Sequence, residues 1–161
     1  MQDRAIRQLL SVLLKQHYNP QKPQPIFPTI ERFDPRLPAK SYVVGVEVKG
    51  EHKAYSLDYL SKNIIVNDMV NGFPLTIICD KTNDIIDVFE RTHNGQILTF
   101  QARISPETFT MVDKETGSTW NIKGEAIAGG QQGQHLQAYP HASRVFWMVW
   151  YNYYPTTQVM C

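Results

Sequence analysis

Side chains able to do chemistry are present in this sequence, but few fall at the spacings that chemistry requires. The five histidines, His17, His52, His93, His135 and His141, form neither a two-histidine helical metal signature nor a Cys-His zinc spacing. His93 sits in a turn and His141 follows Pro140; His135, after a glycine-rich segment, is the histidine best placed to meet a ligand. Cys79 ends the apolar run Ile77-Ile78, where a small buried thiol is expected, and Lys81 is the sole nearby cation that would activate it. Cys161 is terminal, and its pairing with Cys79 is left open. Two cysteines build neither a disulfide framework nor a four-cysteine zinc site. The acids Asp80, Asp84, Asp87 and Glu90 would serve acid-base catalysis if they converged in a pocket, but their places fit turns and strand edges better. Asp80 to Asp84 is oxygen-rich yet lacks the glycine and the closing glutamate of an EF-hand calcium loop. In Gly124 to Gly133, no Lys and Ser/Thr follow the last glycine of a phosphate loop, and Gly129-Gly130-x-x-Gly133 misses the dinucleotide fingerprint. Backbone freedom explains those glycines better. No metal site and no cofactor are expected.

The elements that must position these residues are mostly strands. Tyr42 to Val48 and His52 to Tyr55, around Lys49-Gly50-Glu51, read as a hairpin. Leu57 to Lys62 reads as a helical turn or two. Ile64 to Val66, Pro74 to Cys79 and Ile85 to Phe89 read as strands, the second so apolar that it belongs in the centre of a sheet. His93-Asn94-Gly95 is a tight-turn signal before a strand at Ile97 to Phe100. Phe109 to Val112 and Ser118 to Ile122 form a further hairpin around Asp113 to Gly117. Ala142 to Tyr151 is expected to be a short C-terminal helix with Ser143 near its cap. Upstream, Ile6, Leu9, Leu10, Leu13 and Leu14 form a helical stripe, with Asp3 near the favourable N-terminal end of the dipole. Six of the ten prolines lie between Pro20 and Pro38. That density predicts an extended strap, with Ile26, Phe27, Ile30, Phe33 and Leu37 packed against the domain.

The organisation predicted is therefore an amphipathic helix over 1–18, a proline-rich strap over 19–40 and a β-rich domain over 41–161. The fold class is mainly β, a single antiparallel barrel or sandwich-like domain with an N-terminal amphipathic and a short C-terminal helix. A chain of 161 residues, 42% hydrophobic and 19% charged, supports one core-bearing domain and neither a disordered tail nor a membrane span. A net charge of +1 gives no electrostatic case for nucleic-acid binding. The N-terminal helix could dock on its own domain, on a partner chain or on a membrane surface, and the aromatic C-terminal segment is a second candidate contact surface. No export signal is visible, and the compartment is left open: extracytoplasmic if a signal peptide was removed, otherwise cytoplasmic.

Several blocks, taken in order, carry a likeness. Val44-Gly45-Val46, Lys53-Ala54-Tyr55, Ile65-Val66-Asn67-Asp68 and Gly72-x-Pro74 open it. Val88-Phe89-Glu90-Arg91, Gly95-x-x-Leu98-Thr99-Phe100, Asp113-x-x-Thr116-Gly117-Ser118-x-Trp120 and Gly124-Glu125-Ala126-Ile127-Ala128-Gly129 continue it, and Leu136-x-x-Tyr139-Pro140 with Trp147-x-x-Trp150 closes it. Over about 41–158 the chain resembles the family catalogued as domain of unknown function 3179. The resemblance implies a His-Glu pair at positions that hold Asn63 and Ile64 here, and a Cys-x-x-Cys unit at positions that hold Asp80 and Asn83. An amide, an alkyl group and a carboxylate do not replace thiolates in soft-metal or disulfide chemistry. Many members look exported, which would favour an extracytoplasmic place.

Two readings follow. In the first, the chain is a non-catalytic binding or accessory interaction protein on a scaffold that has lost its Cys/His chemistry. Thr116-Gly117 then supplies a hairpin turn, Asn67-Asp68 caps a turn before Gly72, Trp120 is a buried anchor whose indole N–H needs an acceptor, and Arg91 with Asp113 forms a buried pair. In the second, the chain is an enzyme or cofactor-binding protein, and Asn67, Asp68, Arg91, Asp113, Ser118 and His135 line one polar pocket, with Asp80 as a further acid.

Overall fold

A computed structural model describes residues 33–105 and 108–161. The helix expected over 1–18 and the strap residues before Phe33 lie outside the described residues.

Turn chemistry sets most of the strand boundaries. β1 (Tyr42–Val48) and β2 (Glu51–Ser56) are joined by Lys49-Gly50, both in the left-handed region at φ 47° and 83°. Two positive φ values give the turn a twist that matches the strands it connects. α1 (Leu57–Lys62) follows, capped by the Ser56 hydroxyl, which accepts from Tyr59 N at 3.1 Å. β3 (Ile65–Val70) and β4 (Phe73–Asp80) turn at Asn71-Gly72, again at positive φ, and β5 (Ile85–Glu90) completes a meander with β4 in the middle. β6 (Thr92–His93) and β7 (Gln96–Ile97) flank Asn94-Gly95. β8 (Phe100–Ile104), β9 (Phe109–Asp113), β10 (Thr119–Asn121) and β11 (Ala126–Ala128) make a second antiparallel sheet. β12 (Ala142–Phe146), α2 (Trp147–Tyr153) and β13 (Gln158–Met160) close the chain, and the outer strands join β1 and β2 in the order β12-β1-β2-β13. All strand pairs here are antiparallel except β13 with β2.

Strand alternation divides the core into layers. Leu75, Ile77 and Cys79 of β4 pack with Val44, Val46, Val48 and Tyr55 on the β1–β2 sheet, while Ile78 packs with Phe100, Met111 and Trp120 on the β8–β11 sheet. The β3-β4-β5 sheet is thus covered on both faces, which is why β4 is buried from Pro74 to Asp80 and reads as one apolar run. Each fully buried Leu or Ile there contributes about 1.5–3 kcal/mol of apolar burial. A third cluster, Val43, Ala54, Trp147 and Trp150, seats α2 on the opposite face of the β1–β2 sheet.

The arrangement is strand-rich with several antiparallel sheets, and among the described residues there is no closed barrel, which corrects the barrel expectation. The segment expected to be a helix from Ala142 is a strand to Phe146, and the helix is confined to α2. Local spacing suited either state; pairing of Val145 with Val43 and Phe146 with Tyr42 on β1 decided it. Ser143 therefore caps nothing. The strand expected at Ile97 to Phe100 divides after Ile97, because Leu98 turns in to donate its N–H to Arg91 O while Phe100 opens another sheet. At the end of the strap, Leu37 packs on the α2 cluster as expected, but Phe33 is 47% exposed. The Trp147 indole donates to Asp34 O at 3.2 Å, and the Arg36 guanidinium lies 5.2 Å over the Trp147 ring, so the strap end is held on α2.

Candidate functional site

Asn67 and Asp68 are strand residues on opposite faces of β3. Asn67 faces the β8–β11 sheet, where its Nδ2 donates to Phe100 O at 2.8 Å and its Oδ1 accepts from Phe100 N at 3.0 Å. A primary amide has one donor and one acceptor side by side, as a backbone residue does, so Asn67 pairs with β8 in place of a strand. Asp68 faces the β1–β2 sheet. Its Oδ2 accepts from the Tyr55 hydroxyl and from Lys53 Nζ, each at 2.6 Å, and its Oδ1 accepts from Met69 N at 2.7 Å. Lys53 and Tyr55 share a face because they are two residues apart on β2. Burial pushes the Asp68 carboxyl up, but the Lys53 ammonium, the Tyr55 hydroxyl and the Met69 N–H outweigh it, leaving Asp68 below the ordinary carboxylate range. Burial first, then the hydrogen bond to Asp68 and the Asp68 charge, raises the Tyr55 phenol far above its usual value, so Tyr55 stays neutral and donates.

Arg91 is a buried guanidinium whose hydrogen bonds go to carbonyl oxygens. Nε donates to Leu75 O at 2.9 Å, Nη1 to Leu98 O at 2.9 Å and Nη2 to Asp68 O at 3.1 Å. It ties β3, β4 and the residue after β7 together at one point. Burial lowers its pKa, and the charges of Glu115 and Asp68 oppose that lowering.

Asp113, Thr116, Ser118 and Trp120 close on one another within a single hairpin. The fully buried Asp113 carboxylate accepts from Thr116 N at 2.5 Å, Thr116 Oγ1 at 2.8 Å and Trp120 Nε1 at 2.8 Å. Thr116 Oγ1 also lies 2.8 Å from Ser118 Oγ, which accepts from Gln131 N at 3.1 Å. Ser118 thereby joins the hairpin to the glycine-rich loop. A β-carbon on Gly129, at φ 93°, would stand 2.7 Å from Ser118 Cα, so close approach to Ser118 requires a glycine here.

The sequence pattern of the family described as Protein of unknown function (DUF3179) matches residues 15–157. The chain belongs to this family. No curated protein and no solved structure matches the sequence. The DUF3179 match begins upstream of Ser41, so the family pattern takes in the whole proline-rich stretch as well as nearly all of the β-rich part.

Within this DUF3179 chain the six residues expected to share one pocket are distributed. Asp68 and Arg91 meet through the Asp68 carbonyl, Asn67 points to the other side of the same strand, and Asp113 with Ser118 belongs to the β9–β10 hairpin. The expected Arg91–Asp113 pair is absent among the described residues: Arg91 takes carbonyls, and Asp113 takes Thr116 and Trp120. Asn67 and Asp68 do not cap the turn before Gly72, which is made by Asn71 at φ 46°. His135 is exposed and bridges to Glu125 through the backbone. Trp120 is a buried anchor as expected, with its indole N–H satisfied. His52 stacks on Tyr154, His141 packs edge-on to Tyr139, and His17 lies outside the described residues. Asp80 closes a plain turn, accepting from Thr82 N, Asn83 N and Asn83 Nδ2. Asn63 ends α1, with its amide on Tyr59 O. Both cysteines are free thiols, and burial raises the pKa of Cys79. No group of three or more His, Cys, Asp or Glu among the described residues is arranged to hold a metal. Among these residues no helix is long and apolar enough to cross a membrane.

The residues missed by sequence reasoning are Lys53 and Tyr55. They stand in a family block, but their link to Asp68 spans two sheets and has no local signature.

Proposed function

We propose that this chain is a non-catalytic binding or accessory protein whose family motifs serve the scaffold. The observation that carries this reading is the state of the motif side chains: Asn67, Arg91, Asp113, Ser118 and Trp120 all direct their polar groups to the backbone, to one another or to the Thr116 hydroxyl of the same block. A catalytic acid, base or nucleophile needs a polar atom that faces substrate, and none of these five presents one. The positions that the family resemblance assigns to Cys-x-x-Cys carry Asp80 and Asn83, which bond to each other at 2.7 Å. Isolation of the full chain from its own host under native conditions, followed by native mass spectrometry, metal analysis and an absorption spectrum, tests the reading. A complex heavier than 18.5 kDa without stoichiometric metal or chromophore is expected. A stoichiometric metal or chromophore on the chain would refute it.

The second reading, an enzyme or cofactor-binding protein around Asp68, Arg91 and Asp113, draws on one observation. Asp68 remains partly accessible, with an ammonium and a phenol on the same oxygen. A group of that kind can move a proton, and an activity lost in Asp68→Asn with the fold retained would favour it.

A further inference from the structure

The chain holds Asn-Gly twice in the same kind of turn, and the fold restrains the two pairs differently. Asn71-Gly72 and Asn94-Gly95 each join two paired strands, with φ at 46° and 73° in the first turn and at 48° and 79° in the second. An asparagine before a glycine carries a reaction of its own. The glycine nitrogen can attack the asparagine side-chain carbonyl carbon, because no β-carbon on the glycine hinders the approach. Within one such pair the separation of these two atoms is set by ψ and χ1 of the asparagine. The reaction therefore waits on how freely those two torsions turn.

Asn71 is held on both counts. Its Nδ2 donates to Val48 O and to Lys49 O, each at 3.3 Å, which ties the side chain to the β1–β2 turn. Its own turn closes the ladder that runs from Ile65↔Ile78 to Val70↔Phe73, along which Val66, Val70, Leu75 and Ile77 are buried. Asn94 is exposed, and among the described residues no hydrogen bond takes its side-chain amide or the Gly95 N–H. β6 and β7 pair only at Thr92↔Ile97 and His93↔Gln96, and Thr92, Gln96 and Ile97 are exposed. Opening 92–97 gives up little burial, and a two-stranded piece that short is marginal in water. The opening is also confined, because Leu98 N donates to Arg91 O and Arg91 Nη1 to Leu98 O, each at 2.9 Å, across the base of the hairpin.

We propose that Asn94 is a self-modification site: in the folded chain it converts through a cyclic imide to aspartate and isoaspartate, while Asn71 is protected. The Gly95 nitrogen gives its proton to a solvent base and bonds to Asn94 Cγ. The Cγ–Nδ2 bond breaks, and the nitrogen takes up a proton and leaves as ammonia. Water then opens the imide at either carbonyl. One cleavage gives aspartate; the other gives isoaspartate, in which the main chain runs through the side-chain carbon. Water is the sole co-reactant, and no electrons are exchanged. The turn gains a carboxylate, and the isoaspartate form lengthens a connection whose register admits two residues between His93 and Gln96. The chemistry is independent of the binding reading above.

The test holds the full wild-type chain in mildly alkaline buffer, folded and in parallel unfolded in guanidinium chloride, and follows its tryptic peptides by mass. Cleavage after Lys and Arg puts Asn94 in peptide 92–103 and Asn71 in peptide 63–81, and fragmentation assigns the mass gain of an amide turned acid to each residue. In the folded chain Asn94 is expected to convert at least about ten-fold faster than Asn71, which corresponds to about 1.4 kcal/mol between the costs of freeing the two turns. In guanidinium chloride the two should convert at similar rates. Conversion of Asn71 as fast as Asn94 in the folded chain, or of neither while both convert in denaturant, would overturn the proposal. A preference of the same size in guanidinium chloride would also overturn it, since the selectivity would then belong to neighbours in sequence and not to the fold.

Discussion

Asp113→Asn isolates the claim that the Asp-x-x-Thr-Gly-Ser-x-Trp block is a folding device. The two residues are nearly isosteric, so packing is kept and hydrogen bonding alone is changed. One carboxylate oxygen takes Thr116 N, and the other takes Thr116 Oγ1 and Trp120 Nε1. Whichever way the amide is placed, its NH₂ faces a donor: the Thr116 N–H in one orientation, the indole N–H in the other. A hydrogen bond to a charged group is lost, worth about 1.5–3 kcal/mol, and a buried donor is left unsatisfied. The expected net loss is about 3 kcal/mol, a large part of a typical stability of about 5–15 kcal/mol. With a urea m-value of about 2 kcal/mol/M, the unfolding midpoint should fall by about 1.5 M, read by tryptophan fluorescence. Trp120→Phe removes the indole donor and should relieve part of the Asp113→Asn penalty. The double-mutant cycle should therefore show a coupling of at least about 1 kcal/mol. A single-mutant loss under about 0.5 kcal/mol, or strict additivity in the cycle, would refute the reasoning.

Two further outcomes follow from the packing and the charges. Gly45→Ala places a β-carbon 2.2 Å from the Trp150 ring and so forces α2 off the β1–β2 sheet; a loss of about 1–3 kcal/mol is expected, seen as a lowered melting temperature that Trp150→Ala partly cancels in a double mutant. Asp68 titrates below its unfolded value in the folded chain, so its contribution is present above about pH 4 and fades as pH falls through the lower folded pKa. The stability gap between wild type and Asp68→Asn should accordingly be full at pH 7 and close on acidification, and a gap that stays constant from pH 7 to pH 2 would contradict the Lys53–Asp68 assignment.

The hairpins were legible because their turns are local chemistry. Gly50, Asn94 and Gly95 adopt positive φ, which glycine and a short polar residue tolerate. The central place of β4 was legible for the same kind of reason, since a strand covered on both faces is apolar along most of its length, as β4 is apart from Thr76 and Asp80. The β12 segment was not, because Val145 and Phe146 suit a strand or a helix and the deciding partner, β1, lies about a hundred residues upstream. The site divides in the same way. Asp113 and Trp120 are seven residues apart in one hairpin, and their sequence block announced the anchor. Tyr55 and Asp68 meet across two sheets, and Arg91 finds carbonyls on three separate segments; neither arrangement has a sequence period. The shared pocket failed as an expectation because neighbours in sequence point to opposite faces of a strand, as Asn67 and Asp68 do.

Stability of a substitution panel tests the central claim most directly. Removing a catalytic or binding polar group often leaves stability unchanged or raises it, whereas removing a structural one lowers it. Asn67→Ala, Arg91→Leu, Asp113→Ala and Ser118→Ala should each lose more than about 1 kcal/mol in urea unfolding, against an exposed control, Asp58→Asn, that changes by less than about 0.5 kcal/mol. Wild-type or higher stability in three of the four would contradict the account and mark those residues as a functional site.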